Sequence, residues 1–201
     1  MSFGRHANTQ EPEQIFNMLI NEPKDSVRVR LLWVFRRAAI PRLDLKLFEW
    51  ALCKNKDLRS AAISALSQVS DKKIYELGRE IVLNQELFED TVEVVDLFIK
   101  NYRNDIPQLL LTSLKGVDVD EYGMHSIGCS IIELVDQNCD SELSVLFNWV
   151  YEETPCTQCR YDAIIHLERL QQLNKRLINE CKFDASEEIR DFVSNLNRYP
   201  N

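Results

Sequence analysis

Cys156-Thr157-Gln158-Cys159 is the place in the chain where residue type and spacing could do chemistry without help from the fold. A C-x-x-C at a predicted helix start puts two thiols where the helix dipole favours thiolate, which suits a redox pair or half of a zinc site. Completing a zinc tetrahedron takes two more ligands. There is no second C-x-x-C and no H-x-x-x-H, so His125, Cys129 and Cys139 are the only recruits. No βαβ pattern flanks the pair, as a redox motif of that kind needs, and Cys159 falls on an apolar helix anchor, where burial is its simplest role. The other histidines add little: His6 is in a polar tail, and His166 lies beside Ala163 and Leu167. No nucleophile–His–acid set arises from local spacing, and the two nearest glycines, Gly123 and Gly128, do not make a phosphate loop. The expectation is a chain with no catalytic residues, no metal and no cofactor.

The elements that carry these residues follow from composition. The chain has 201 residues, 45% apolar and 9% aromatic, with a formal charge of −8, enough to bury a substantial core. Five Gly and six Pro are too few for turn-dense sandwiches or barrels, which leaves a helical architecture. The N-terminal MSFGRHANTQEPEQ lacks the apolar core of a signal peptide, and the longest apolar run, Leu31 to Phe35, is far shorter than the roughly 20 residues a membrane helix takes. A cytoplasmic protein with reduced thiols and no membrane contact is expected.

A repeat organises the helices. Six segments open on an apolar anchor, at Val27, Leu58, Val92, Met124, Cys159 and Ile189, spaced 30 to 35 residues apart. Between them lie amphipathic stretches near 12–21, 42–53, 72–84, 105–115, 140–152 and 172–182. Each repeat therefore reads as helix, short turn, helix. Pro41, Pro107 and Pro155 fall at or near helix starts, and Asp25, Asp57 and Ser186 are placed to cap. Stacked hairpins of this period bury a continuous core that no hairpin buries alone.

The segment Asp57-Leu58-Arg59-Ser60-Ala61-Ala62-Ile63-Ser64-Ala65-Leu66 resembles the second helix of a HEAT-like repeat, with Arg28, Arg160 and Arg190 at the position of Arg59 in other repeats. Glu93 and His125 stand where that arginine ladder should continue. The resemblance implies an all-α, right-handed α-solenoid of about six HEAT-like hairpins, with residues 1–10 as a polar tail and 11–201 as a single repeat domain.

The negative charge is concentrated. Residues 1–60 carry a net +4, whereas residues 86–168 carry −13. Glu89, Glu93 and Asp96 fall at i, i+4 and i+7 of the predicted third second-helix, as a solvent-facing stripe opposite Val92, Val95, Ile99 and Tyr102. Glu133, Asp136, Glu152, Glu153 and Asp162 continue the acidic set through repeats four and five, and Trp149 supplies an apolar anchor beside Tyr122, Tyr151 and Tyr161. Such a surface steers a basic protein and repels nucleic acid. The expected function is a non-enzymatic binding module, monomeric alone and 1:1 with one basic protein, in the manner of bacterial immunity proteins that cover a nuclease-like toxin. A structural adaptor in a larger complex is the alternative. HEAT-like DNA glycosylases need a basic track where this chain is acidic, and no feature supports the pigment of a chromophore lyase.

Overall fold

Helix-forming runs separated by short capped turns give an all-helical chain in the computed structural model, which describes residues 11–138 and 140–196 with no strand among them. The predicted tail 1–10, with His6, and Cys139 lie outside the described residues. No described helix is long and apolar enough to cross a membrane. The chain divides into two compact units, Met1–Asp118 and Val119–Asn201.

In the first unit, helix pairs α1 (Glu11–Asn21) and α2 (Asp25–Phe35), then α3 (Leu45–Ala51) and α4 (Lys56–Leu66), match the first two predicted hairpins. α5 (Lys72–Leu83) is followed by a short α6 (Gln85–Glu89) and a 3-10 helix, Val92–Phe98; α7 (Ile106–Ser113) closes the unit. Within each hairpin the two helices pack together, and the second helix of one hairpin packs along the second helix of the next: α2 on α4, α4 on the 3-10 helix. Small residues make the approach close. Ala61, Ala62 and Ala65 of α4 are all buried, between Leu58, Ile63 and Leu66.

The second unit holds α8 (Glu121–Asn138), a 3-10 turn at Ser141–Leu143 running into α9 (Ser144–Glu153), α10 (Thr157–Arg169), α11 (Lys175–Cys181) and α12 (Glu187–Leu196). The same order recurs: α9 packs on α10 and α11 on α12, while α8, α10 and α12 pack side by side in sequence order.

Two local expectations change. The third second-helix is not an α-helix from Val92: the chain breaks at Thr91 (φ −150°, ψ 58°) and resumes as 3-10. The β-branched run Val92, Val94 and Val95 lowers α-propensity, and the tighter winding puts Phe98 against Gly78, where a Cβ would lie only 2.8 Å from the ring. The caps also shift. Asn55, not Asp57, caps α4 by accepting from the Leu58 N–H at 3.3 Å, and Asp25 sits inside the first turn of α2, whose N-cap Lys24 makes no capping bond with its side chain.

Candidate functional site

Arginines stand in the first turn of α2, α4, α10 and α12, at Arg28, Arg59, Arg160 and Arg190. Arg28 donates to Glu22 O and Asp25 Oδ1, both at 2.7 Å, and lies over the Trp50 ring. Arg59, only 4% exposed, donates to Cys53 O at 2.9 Å in its own hairpin and to Thr91 Oγ1 at 2.6 Å and Asp90 O at 3.2 Å before the next second helix. Arg160 repeats the pattern, with Pro155 O at 3.2 Å and Asp184 Oδ1 at 2.9 Å; Arg190 donates to Asp184 O at 2.6 Å and Ala185 O at 2.9 Å. Arg59 and Arg160 thereby tie consecutive loops together by charge-assisted hydrogen bonds, whereas Arg28 and Arg190 brace the loop ahead of their own helix. Burial opposes ionisation of Asp184, but Arg160 and the Ser186 N–H outweigh it and hold the carboxyl below its ordinary range.

His125 occupies the rung position of α8, and the loop ahead of it brings thiols instead of an acid. Cys156 is the N-cap of α10, in extended backbone, and Cys159 sits on that helix's first turn, 1% exposed. Cys159 Sγ lies 3.3 Å from His125 Nδ1, and the ligand atoms of His125, Cys156 and Cys159 all lie within 4.8 Å of one another. Cys129, one turn beyond His125 on α8, places its Sγ 3.6 Å from His125 Nε2 and 3.9 Å from Nδ1. Gly128 makes room: a Cβ there would stand 3.2 Å from Cys159 Sγ and 3.4 Å from its Cβ.

The two thiols of the C-x-x-C are set apart electrostatically. Burial raises Cys156, yet hydrogen bonds from Cys159 and Gln158 and the nearby Arg160 charge outweigh it, so the thiol ends below its ordinary value. Burial pushes Cys159 upward, and its hydrogen bond to Cys156 adds to the rise. Of the three recruits that the sequence offers the C-x-x-C, the structure brings His125 and Cys129 to it.

The predicted acidic residues separate by unit. Glu89 and Glu93 are half-buried and used internally: Glu89 accepts from Gln85 Nε2 at 2.8 Å and from the Asp118 N–H at 3.1 Å, and Glu93 accepts from Ser60 Oγ at 2.9 Å. Gln85 and the Asp118 N–H hold Glu89 below its ordinary pKa. Glu93 and Asp96 share one side of the 3-10 helix, but Glu89 belongs to α6, so the three do not form the single solvent-facing α-helical stripe. In the second unit, Glu133, Asp136, Glu152 and Glu153 are exposed. Asp136 lies 3.4 Å from His166 Nδ1, and Glu152 pairs with Arg176 at 2.6 Å. Half-buried Asp162 accepts from Gln158 at 2.9 Å. Half-buried Trp149 falls on the same side of α9 as exposed Val145 and Glu152, at i, i+4 and i+7 from Val145. Tyr122 is 79% exposed, whereas Tyr151 is buried and Tyr161 stacks edge-on to Phe192.

One surface escaped the sequence reasoning. Arg30 and Trp33 on α2, with Arg36 and Arg37 in the turn that follows it, line a cleft of about 430 Å³, with the Arg36 guanidinium over the Trp33 ring at 5.2 Å. The i, i+3, i+6, i+7 spacing is its signal, masked by the apolar residues interleaved along Leu31–Phe35. Compared with known protein families, curated proteins and solved structures, the chain finds no match.

Proposed function

We propose that the chain is a non-enzymatic, HEAT-like helical-repeat binding module that engages one basic protein through the acidic surface of its second unit. The observation that carries this reading is where the charge falls. Residues 1–118 hold 17 acidic and 17 basic side chains, whereas residues 119–201 hold 15 acidic and 7 basic, so the whole net charge of −8 lies on the second unit. Its acids stand exposed on α8 and α9, and on α9 Glu152 shares a side with Val145 and Trp149, which combines long-range steering with an apolar anchor. The side-by-side packing of α8, α10 and α12, with Arg160 of α10 bonded to Asp184 ahead of α12, supports a HEAT-like solenoid arrangement. A partner that presents a cationic cleft, such as a nuclease-like toxin, fits this surface, and the chain then acts as its immunity protein, bound 1:1.

The Arg30–Trp33–Arg36–Arg37 face gives a specific reason for a second reading, a structural adaptor. A basic aromatic surface on one unit and an acidic one on the other suit two different partners. Affinity purification of the tagged chain from the organism of origin separates the readings. One basic protein at equal stoichiometry, lost on Glu133→Lys/Glu153→Lys substitution, is the expected result. Multi-protein assemblies that survive that substitution assign the adaptor, and recovery of no basic protein overturns the binding reading.

A further inference from the structure

We propose that His125, Cys129, Cys156 and Cys159 bind a tetrahedral zinc ion that takes the place of an arginine rung between α8 and α10. The donor set is right for the ion: three thiols and one imidazole are soft-to-borderline ligands that select zinc over hard cations. The spacing is right as well. With Zn–S near 2.3 Å and Zn–N near 2.0–2.1 Å, the edges of a tetrahedral site are about 3.5 to 3.8 Å. Cys159 Sγ at 3.3 Å and Cys129 Sγ at 3.9 Å from His125 Nδ1 bracket that range, and Cys156 Sγ lies within 4.8 Å of the His125 and Cys159 ligand atoms, a separation that a bound ion would draw in.

Two further observations point the same way. Arg59 and Arg160 each bridge forward from one second helix to the loop ahead of the next, whereas on α8 His125 stands at the corresponding position, with Cys156 at the loop it faces. A metal held by both restores the missing cross-link. Gly128, inside α8, is the residue whose lack of a side chain lets Cys159 approach; a glycine there weakens the helix, which the close contact at the thiol accounts for.

A C-x-x-C with one half-exposed and one buried thiol also resembles a redox pair, but a redox pair makes no use of a third and fourth donor converging from another helix. Zinc binding converts the three thiols to thiolates and releases their protons to solvent; nothing is oxidised. The resulting excess negative charge faces Arg160, the residue after Cys159.

The test uses the full chain, reduced and stripped of metal, with Zn²⁺ titrated against a chromogenic chelator and Co²⁺ as a spectroscopic probe. One Zn²⁺ per chain at Kd tighter than about 100 nM is expected. Co²⁺ should give thiolate charge-transfer bands and the strong visible bands of a tetrahedral site. Cys156→Ser keeps a good N-cap, and Cys129→Ser and His125→Ala change exposed positions, so all three fold; each should weaken Zn²⁺ at least about tenfold, while Cys53→Ser changes nothing. Zn²⁺ should also raise the melting temperature of the parent chain and not that of Cys156→Ser. Binding no tighter than micromolar, an unchanged affinity in Cys129→Ser, or quantitative Cys156–Cys159 disulfide formation with no Zn²⁺ uptake after reduction each overturns the proposal, the last in favour of a redox pair.

Discussion

Removing the Arg59 guanidinium tests whether the arginine rungs hold the hairpins in register. In Arg59→Met the aliphatic bulk remains, but three charge-assisted hydrogen bonds, to Thr91 Oγ1, Cys53 O and Asp90 O, are lost, together with the 3.4 Å approach to the Asp90 carboxylate. Breaking a buried pair costs about 3–5 kcal/mol. Asp90 is 39% exposed and also held by Lys56, so it rehydrates and keeps a partner, which moves the expected loss to about 3 kcal/mol. With an m-value of about 2 kcal/mol/M, the urea midpoint of the first unit falls by about 1.5 M. Fluorescence follows it, because Trp33 and Trp50 both lie in that unit. Arg59→Lys should recover less than half, since one ammonium cannot meet three acceptors spread around a planar fork. Exposed Arg36→Met is the control, within about 0.5 kcal/mol of the parent. A loss in Arg59→Met below about 1 kcal/mol, or no larger than in Arg36→Met, refutes the rung as a structural element.

Three other outcomes follow from the same geometry. Gly78→Ala forces a Cβ to 2.8 Å from the fully buried Phe98 ring; overpacking of about 1–3 kcal/mol outweighs the helix-propensity gain of about 1 kcal/mol, for a net destabilisation of about 1 kcal/mol by urea unfolding. Asp184 has a folded pKa below its ordinary 3.8, so its charge stabilises the fold above that value and the contribution is lost as pH falls through the lower, folded one. Asp184→Asn should therefore cost about 2 kcal/mol at neutral pH and flatten the acid limb of the second unit's stability curve, read by urea midpoints between about pH 2.5 and 5. Gly116 has φ +75° with open space around it, so Gly116→Ala should cost about 1 kcal/mol from backbone conformation alone, and an unchanged midpoint contradicts that.

Much of the helical plan was legible because it rests on local periodicity. Anchors such as Leu58 and Ile189 open the expected helices, and the first helices fall within a few residues of their predicted ranges. The third second-helix departs because tertiary packing of Phe98 on Gly78 and the β-branched run at Val92 outweigh an apolar spacing that reads as α. The acidic set was legible as charge but not as surface. Ser60 and the Asp118 N–H claim Glu93 and Glu89 from 33 and 29 residues away, contacts that no local pattern encodes. The thiol–imidazole group was half legible. Residue type alone marks His125 and Cys129 as recruits, but their convergence on Cys159, 34 residues beyond His125, comes from one second helix packing along the next. Its signal was the interruption of the arginine ladder at His125, followed one repeat later by cysteine at the facing loop.

Binding of the co-purified basic partner, measured by surface kinetics at about 50 and 300 mM salt for the parent and for Glu133→Lys/Glu153→Lys, tests the central claim most directly. These two side chains are exposed, and Glu133 accepts from Gln137 of its own helix, so their reversal leaves the rungs and the core intact. Steering by the second unit predicts an association rate that drops about tenfold or more with added salt, and a parent-to-variant ratio that shrinks as salt rises. Equal association rates for parent and variant at low salt contradict it.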